Sequence, residues 1–217
     1  MKKGFVELVF VLDKSGSMSG LESDTIGGFN SMLKKQKKLD GECRITTVLF
    51  NESCRLLHDR IDIQAVEAMN ESDYFAGGST ALLDAVGMTI DKLAAVQKST
   101  AAEYRAESVL FVIITDGMEN ASRKYSLKQV KAMIEREKEQ YGWEFIFLGT
   151  NIDAVETAAG FGIDAEYAAD YVPDAAGTAL NFETMSETAS CFRETRAIPS
   201  FVMQKIREDA GKRGDRT

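Results

Sequence analysis

The sequence predicts an open α/β fold: a six-stranded, mostly parallel sheet with one antiparallel edge strand and helices on both faces. Three observations lead there. Short, nearly continuous apolar runs stand at 5–12 (FVELVFVL), 108–115 (SVLFVIIT) and 143–149 (WEFIFLG), as strands do when both of their faces are buried. Between and after them, apolar residues recur at spacings of three and four, the period of an amphipathic helix. The two patterns alternate along the chain, which is the order that builds a parallel sheet.

The elements follow in turn. After the first strand, Ile26, Phe29, Met32 and Leu33 mark a helix. The runs 42–50 (ECRITTVLF) and 52–59 (ESCRLLHD) are separated by almost nothing around Asn51, so they read as a hairpin and supply the antiparallel excursion. Leu82, Leu83, Val86, Ile90 and Leu93 place a helix within 79–98, and Leu127, Val130, Met133 and Ile134 place another before the strand at 143–149. Beyond Thr150, IDAVETAAGFG predicts a short helix and AEYAADYV a sixth strand, and a helix runs from Pro173 to about Arg193. One domain over 1–195 is the reading, with 196–217 a weakly specified tail whose end, GKRGDRT, is expected to be frayed or solvated.

Composition narrows the function. The 217 residues are 44% hydrophobic and 28% charged with two prolines, so the chain folds on its own core and needs no structural metal to do so. Lys plus Arg number 26 against 34 Asp plus Glu, for a net charge of −8; that balance gives no reason to seek phosphate backbones or anionic lipid. Cys43, Cys54 and Cys191 are odd in number and widely spaced, which fits neither a disulfide framework nor a zinc ribbon. The apolar run near the N-terminus contains Glu7 and meets Asp13 and Lys14 where a signal peptide would have its cleavage site. No stretch approaches 18 uninterrupted apolar residues, as a membrane span requires. A cytoplasmic protein is expected.

In open α/β sheets ligands bind beyond the carboxyl ends of the strands. The first strand is followed at once by Asp13-Lys14-Ser15-Gly16-Ser17, with a carboxylate and two hydroxyls on alternate residues of a tight loop. The strand ending near Thr115 is followed by Asp116-Gly117, and Gly77-Gly78-Ser79-Thr80 opens the helix between them. Two carboxylates and three hydroxyls thus face one rim. An all-oxygen set of low charge suits Mg²⁺ or Mn²⁺; zinc would want imidazole or thiolate, and calcium more carboxylates. The neutral hydroxyls leave the cation's charge incompletely compensated, so an acidic group from a partner has a place in the shell. Any one of these segments alone would be read as a helix cap; the three together are read as a metal site.

These residues, D-x-S-x-S, a threonine after glycines, and T-D-G at a strand end, resemble the metal-ion-dependent adhesion site of the von Willebrand factor type A (VWA) domain, over roughly residues 4–195. The resemblance implies a Rossmann-like sheet in which Ser15, Ser17 and Thr80 supply hydroxyls while Asp13 and Asp116 coordinate directly or through water. It also implies a role, that of binding a partner protein whose Asp or Glu completes the metal shell, with no covalent chemistry. Within the family the chain is similar to the bare, single-domain bacterial versions. Lys14 departs from the uncharged residue often found there; it either weakens the local field or points to solvent.

Two other functions fit the residues less well. A Mg²⁺-dependent hydrolase or phosphotransferase would need a D-x-D, and Ser15 stands at the second position; no G-x-x-x-x-G-K-[ST] loop occurs, nor an evident general base. An RNA-associated role lacks an interleaved basic and aromatic stretch. Of the remaining residues, Glu22 and Asp24 read as partners of a helix dipole, and Asp84 and Glu119 as solvated acids with a supporting role at the site as the alternative. His58 reads as a surface histidine, and the cysteines as core fillers, Cys191 foremost. Lys34, Lys35, Lys37 and Lys38 read as a solvated helix face, with an acidic partner's docking surface as the alternative.

Overall fold

A computed structural model describes residues 1–150 and 153–214. Its sheet has six strands in the order β3-β2-β1-β4-β5-β6. They are β1 (Lys2–Asp13), β2 (Cys43–Phe50), β3 (Cys54–Asp62), β4 (Ala106–Ile114), β5 (Glu144–Gly149) and β6 (Ala168–Asp170). All neighbouring pairs are parallel except β2 with β3, the antiparallel edge. The predicted fold class is therefore the one observed. The helices are α1 (Glu22–Gln36), α2 (Leu82–Ser99), α3 (Leu127–Tyr141), α4 (Ala154–Phe161), α5 (Ala175–Thr195) and α6 (Gln204–Gly214).

Strand periodicity explains why the central runs look uniformly apolar. Val6, Leu8, Phe10 and Leu12 of β1 join one core with residues of α1, α5 and α6, while Phe5, Val9 and Val11 join a second core with residues of α2, α3 and α4. Successive side chains of a strand point to opposite faces, and here both faces are covered. Local signals end the helices where the chain must turn. Ser126 and Gln129 form a reciprocal capping box at the start of α3, and Gly142 closes it in the left-handed conformation. Asp153 caps α4 and Asp174 caps α5.

Three expectations are corrected. The segment 196–217 is not a loose tail over its described part: Ile198, Val202, Met203 and Ile206 enter the core beside α5, and Arg207 Nη2 donates to the Ala168 carbonyl of β6 at 2.7 Å. Its few apolar residues sit among charges, which is why no strong period shows. Of the frayed or solvated end expected at GKRGDRT, residues 211–214 belong to α6, with Gly211 and Lys212 exposed as a solvated end would be, and 215–217 lie outside the described residues; residue 152 of the predicted short helix lies outside them too. His58 is not on the surface. It is 5% exposed, its Nδ1 lies 3.0 Å from Thr47 Oγ1, and its ring stacks on Phe29. Among the cysteines the one most buried is Cys43 on β2, whereas Cys191 is half-buried.

Helix α5 lies where the sequence places a helix, at Ala175–Thr195. Phe182, Met185, Ala189 and Phe192 do pack inward, but Thr178, Asn181, Thr184, Ser186 and Thr188 are buried beside them. Arg193 of α5 is buried as well, and its guanidinium donates to the carbonyls of Gln36, Leu39, Asp40 and Gly41. It thereby satisfies the carbonyls that the end of α1 leaves without helical partners.

Candidate metal centre

The site lies at the carboxyl ends of β1 and β4, beside the start of α2. Asp13 is the last residue of β1 and is buried. Its Oδ1 accepts the backbone N–H of Ser15 at 2.6 Å, and its Oδ2 accepts the hydroxyl of Thr115 at 2.6 Å. The Tyr74 hydroxyl donates to its carbonyl. Because the carboxylate closes back on the loop, Ser15 and Ser17 are held with their Oγ atoms 3.1 Å apart.

Thr80 arrives from the opposite side. Its N–H donates to Asn120 Oδ1 at 2.9 Å, and its carbonyl accepts the N–H groups of Asn120 and Ala121. The loop before it is tied to the first loop by Gly16 N–H to the Gly78 carbonyl and Gly77 N–H to the Lys14 carbonyl, both 2.9 Å. Gly78 has a φ of +81°, and a Cβ there would collide with the Glu52 carboxylate, which accepts the Ser79 N–H at 3.0 Å. Glycine is required at that position on both counts.

Asp116 follows β4, is buried, and accepts a hydrogen bond from the Ser17 hydroxyl. Next to it, a Cβ built on Gly117 would lie 2.8 Å from Thr80 Oγ1, 3.2 Å from Ser17 Oγ and 3.6 Å from Ser15 Oγ. Three hydroxyls thus surround one point that only a glycine leaves open. The structure brings all five predicted residues, Asp13, Ser15, Ser17, Thr80 and Asp116, into one cluster. Ser17 is exposed, whereas the other four are buried, so the cluster meets solvent on one side only.

Electrostatics matches the geometry. Burial pushes the Asp116 carboxyl up to about 6, against the pull of the Ser17 hydrogen bond and with help from the neighbouring Asp13 charge. Burial also raises Asp13, despite hydrogen bonds from Thr115 and Ser15 that favour its charged form. Two neighbouring carboxylates held above their ordinary range make a place where added positive charge is favourable. Among the described residues no group of three or more His, Cys, Asp and Glu is arranged to hold a metal. The donors here are hydroxyls around two acids, which fits a hard, oxygen-seeking ion and not a thiolate or imidazole one.

Of the two readings open for Asp84 and Glu119, the supporting role is the one observed. Asp84 and Glu119 are not solvated acids. Asp84 accepts the N–H groups of Arg123, Lys124 and Tyr125; burial raises it, but these bonds together hold it below the usual carboxylate range. Glu119 accepts the N–H groups of Leu83, Ala121 and Ser122. Together they pin the loop after Asp116 to the start of α2. Thr115, Tyr74, Asn120 and Glu52 do similar positioning work, and only their distant partners reveal it. Lys14 does not point freely to solvent: its Nζ lies 4.7 Å from the centre of the Phe75 ring. Glu22 and Asp24 do lie in the first turn of α1, and of the lysines around its end Lys34, Lys35 and Lys38 are exposed, whereas Lys37 is half-buried and its Nζ donates to the Val66 carbonyl at 2.6 Å.

Sheet order and parallel pairing with one antiparallel edge define a Rossmann-like α/β protein with the VWA fold. Solved structures share it. The PilB minor pilin from Streptococcus sanguinis aligns at a TM-score of 0.61 and 11% identity, over 89% of this chain and 63% of the pilin. A von Willebrand factor type A protein from Catenulispora acidiphila aligns at 0.55 and 13%, over 85% and 42% respectively. A manganese-loaded TRAP protein from Plasmodium vivax aligns at 0.57 and 17%, over 84% and 74%. The chain therefore spans less than two thirds of the first two. No protein-family model matches the sequence, and no curated protein does.

Proposed function

We propose that this protein is a metal-dependent protein–protein interaction module. Asp13, Ser15, Ser17, Thr80 and Asp116 hold Mg²⁺ or Mn²⁺, and the position left open on the solvent side takes an Asp or Glu of a partner protein. The observation that carries this reading is the convergence of three hydroxyls on the space beside Gly117, with the buried carboxylates of Asp13 and Asp116 in the same loops. A divalent cation held there supplies a Lewis-acidic anchor for a carboxylate. The chain's own groups orient it: Thr115 and the Ser15 N–H fix the Asp13 carboxylate, and Asn120 fixes Thr80. That one of the proteins sharing this fold is described as manganese-loaded supports the choice of ion.

The module is read as non-enzymatic, since Ser15 stands where a phosphatase would place its second carboxylate. The net charge of −8 favours a protein partner over nucleic acid. Three free cysteines support a reducing compartment, the cytoplasm, and no helix among the described residues is long and apolar enough to cross a membrane. The reading is that of a bacterial single-domain type.

Thermal unfolding of the metal-stripped protein with millimolar Mg²⁺ or Mn²⁺ tests the site. An ion at about 100 times its dissociation constant adds ~2.7 kcal/mol, which moves the midpoint of a domain this size by roughly 5–10 °C. Asp13→Asn, which retains one acceptor for the Ser15 N–H, removes the shift; Thr80→Ala reduces it. Equal midpoints with and without either ion in the wild type overturn the proposal.

A further inference from the structure

Beside the metal cluster a groove of about 860 Å³ runs from Gly117 to α4. We propose that it is the docking track for the remainder of the partner segment. On that view the partner follows its metal-binding acid with an aliphatic or aromatic side chain and then a basic residue. The inference rests on the metal-dependent reading above.

Three observations favour this occupant. The groove is continuous with the site: Gly117, whose missing side chain leaves room for the three hydroxyls, is also part of its wall. Its surface is mainly apolar, built by Leu82, Leu83, Leu127 and Phe161, with Met118 at 69% and Leu127 at 46% exposure. Apolar surface left open next to a charged anchor gains from a hydrophobic side chain attached to the anchoring group. The far end carries Asp153, which is exposed, and Glu156, and among the described residues neither forms an ion pair with a lysine or arginine. A basic group on the partner complements them. A second copy of this chain is disfavoured by its own charge of −8.

Two substitutions block the track without touching the metal cluster. Gly160 lies in α4, and a Cβ there would stand in ordinary contact with Leu127 Cδ2, at 3.7 Å; Gly160→Leu therefore fills the groove and improves helix propensity. Leu127→Glu puts a charge on the wall at the first position of α3, where a helix N-terminus tolerates acid.

The test is selection of a random displayed-peptide library on the immobilised full chain in Mn²⁺, with elution by chelator. Recovered peptides are expected to share an acidic residue followed by Leu, Ile, Met or Phe and then Lys or Arg. A synthetic peptide of that sequence should bind the wild type, lose binding in chelator, and bind either variant about tenfold or more weakly, while both variants keep the Mn²⁺-induced thermal shift. Metal-dependent peptides with no apolar preference, or binding unchanged in both variants, overturn the groove and leave the metal site standing. So does a selection from which no peptide elutes while the thermal shift is intact. A second copy of the chain as occupant would show as a Mn²⁺-dependent dimer in sedimentation, and it also overturns the proposal. Absence of the wild-type thermal shift removes the metal reading and the groove with it.

Discussion

Replacing Asp116 by Asn should make the metal-free protein more stable. The native carboxyl is raised from 3.8 to about 6, a difference of ~2 units, and each unit corresponds to ~1.4 kcal/mol between its two protonation states. At pH 7.5 the buried charge therefore costs ~3 kcal/mol that an amide does not bear. That cost is already net of the Ser17 hydrogen bond to the charged form, so the gain of ~3 kcal/mol raises the midpoint by roughly 6–12 °C. The sign in pH follows from the raised value. The contribution is fully present below 3.8 and is lost as pH rises through about 6, so the metal-free wild type gains stability on acidification over that window, and Asp116→Asn lacks that part of the gain. Circular dichroism melts in chelator between pH 4 and 8 measure both. Added Mg²⁺ should then reverse the ranking, because it stabilises only the wild type. A metal-free Asp116→Asn protein that is less stable than wild type at pH 7.5 would refute the idea that burial makes this negative charge costly until a cation arrives.

Gly117→Ala should abolish or strongly weaken the metal-induced shift while leaving the metal-free midpoint within a few degrees, since its Cβ would press on the Thr80 hydroxyl at 2.8 Å; isothermal titration with Mn²⁺ reads this directly. Arg193→Leu strands the carbonyls at the end of α1 and should cost ~2–4 kcal/mol in denaturant unfolding, with the metal-induced shift retained. Burial lowers the His58 pKa from 6.5, against weaker upward pulls from Asp73 and Glu67. Its stabilising contribution is therefore present above pH 6.5 and lost as pH falls through the folded value, opposite in sign to that of Asp116. Proton NMR should place its titration midpoint below 6.5, and in His58→Gln the slope of stability with pH near 6 should shift accordingly.

Much of the fold is legible because strand and helix periods are local. The runs at 5–12, 108–115 and 143–149 needed only alternate residues packing on opposite faces, and both cores confirm it through β1. The clustering of the five oxygen-bearing residues is legible for a similar reason: Asp13, Ser15 and Ser17 are brought together by one short loop, and Asp116 and Thr80 sit at neighbouring element ends. The residues that hold them are not legible. Thr115 meets Asp13 across 102 positions, Asn120 meets Thr80 across 40, and Glu52 meets Ser79 across 27.

The same division accounts for the departures from expectation. His58 sits in a run of mixed polarity, and its side chain goes inward because the pairing of β3 with β2 sets it against Thr47 and α1 closes over it. Residues 196–214 carry too few apolar side chains to announce a helix, yet the edge of the sheet and α5 give those few somewhere to be buried. The amino-acid sequence by itself determined the fold class, the elements as far as α5 and the five oxygen-bearing residues at the strand ends, because those depend on spacings within a turn, a strand or a loop. Tertiary structure alone decided which buried carboxylates lose water, which distant groups fix them, and that an apolar groove opens beside them. Those properties depend on which elements become neighbours, and on the low-dielectric surroundings that only packing creates.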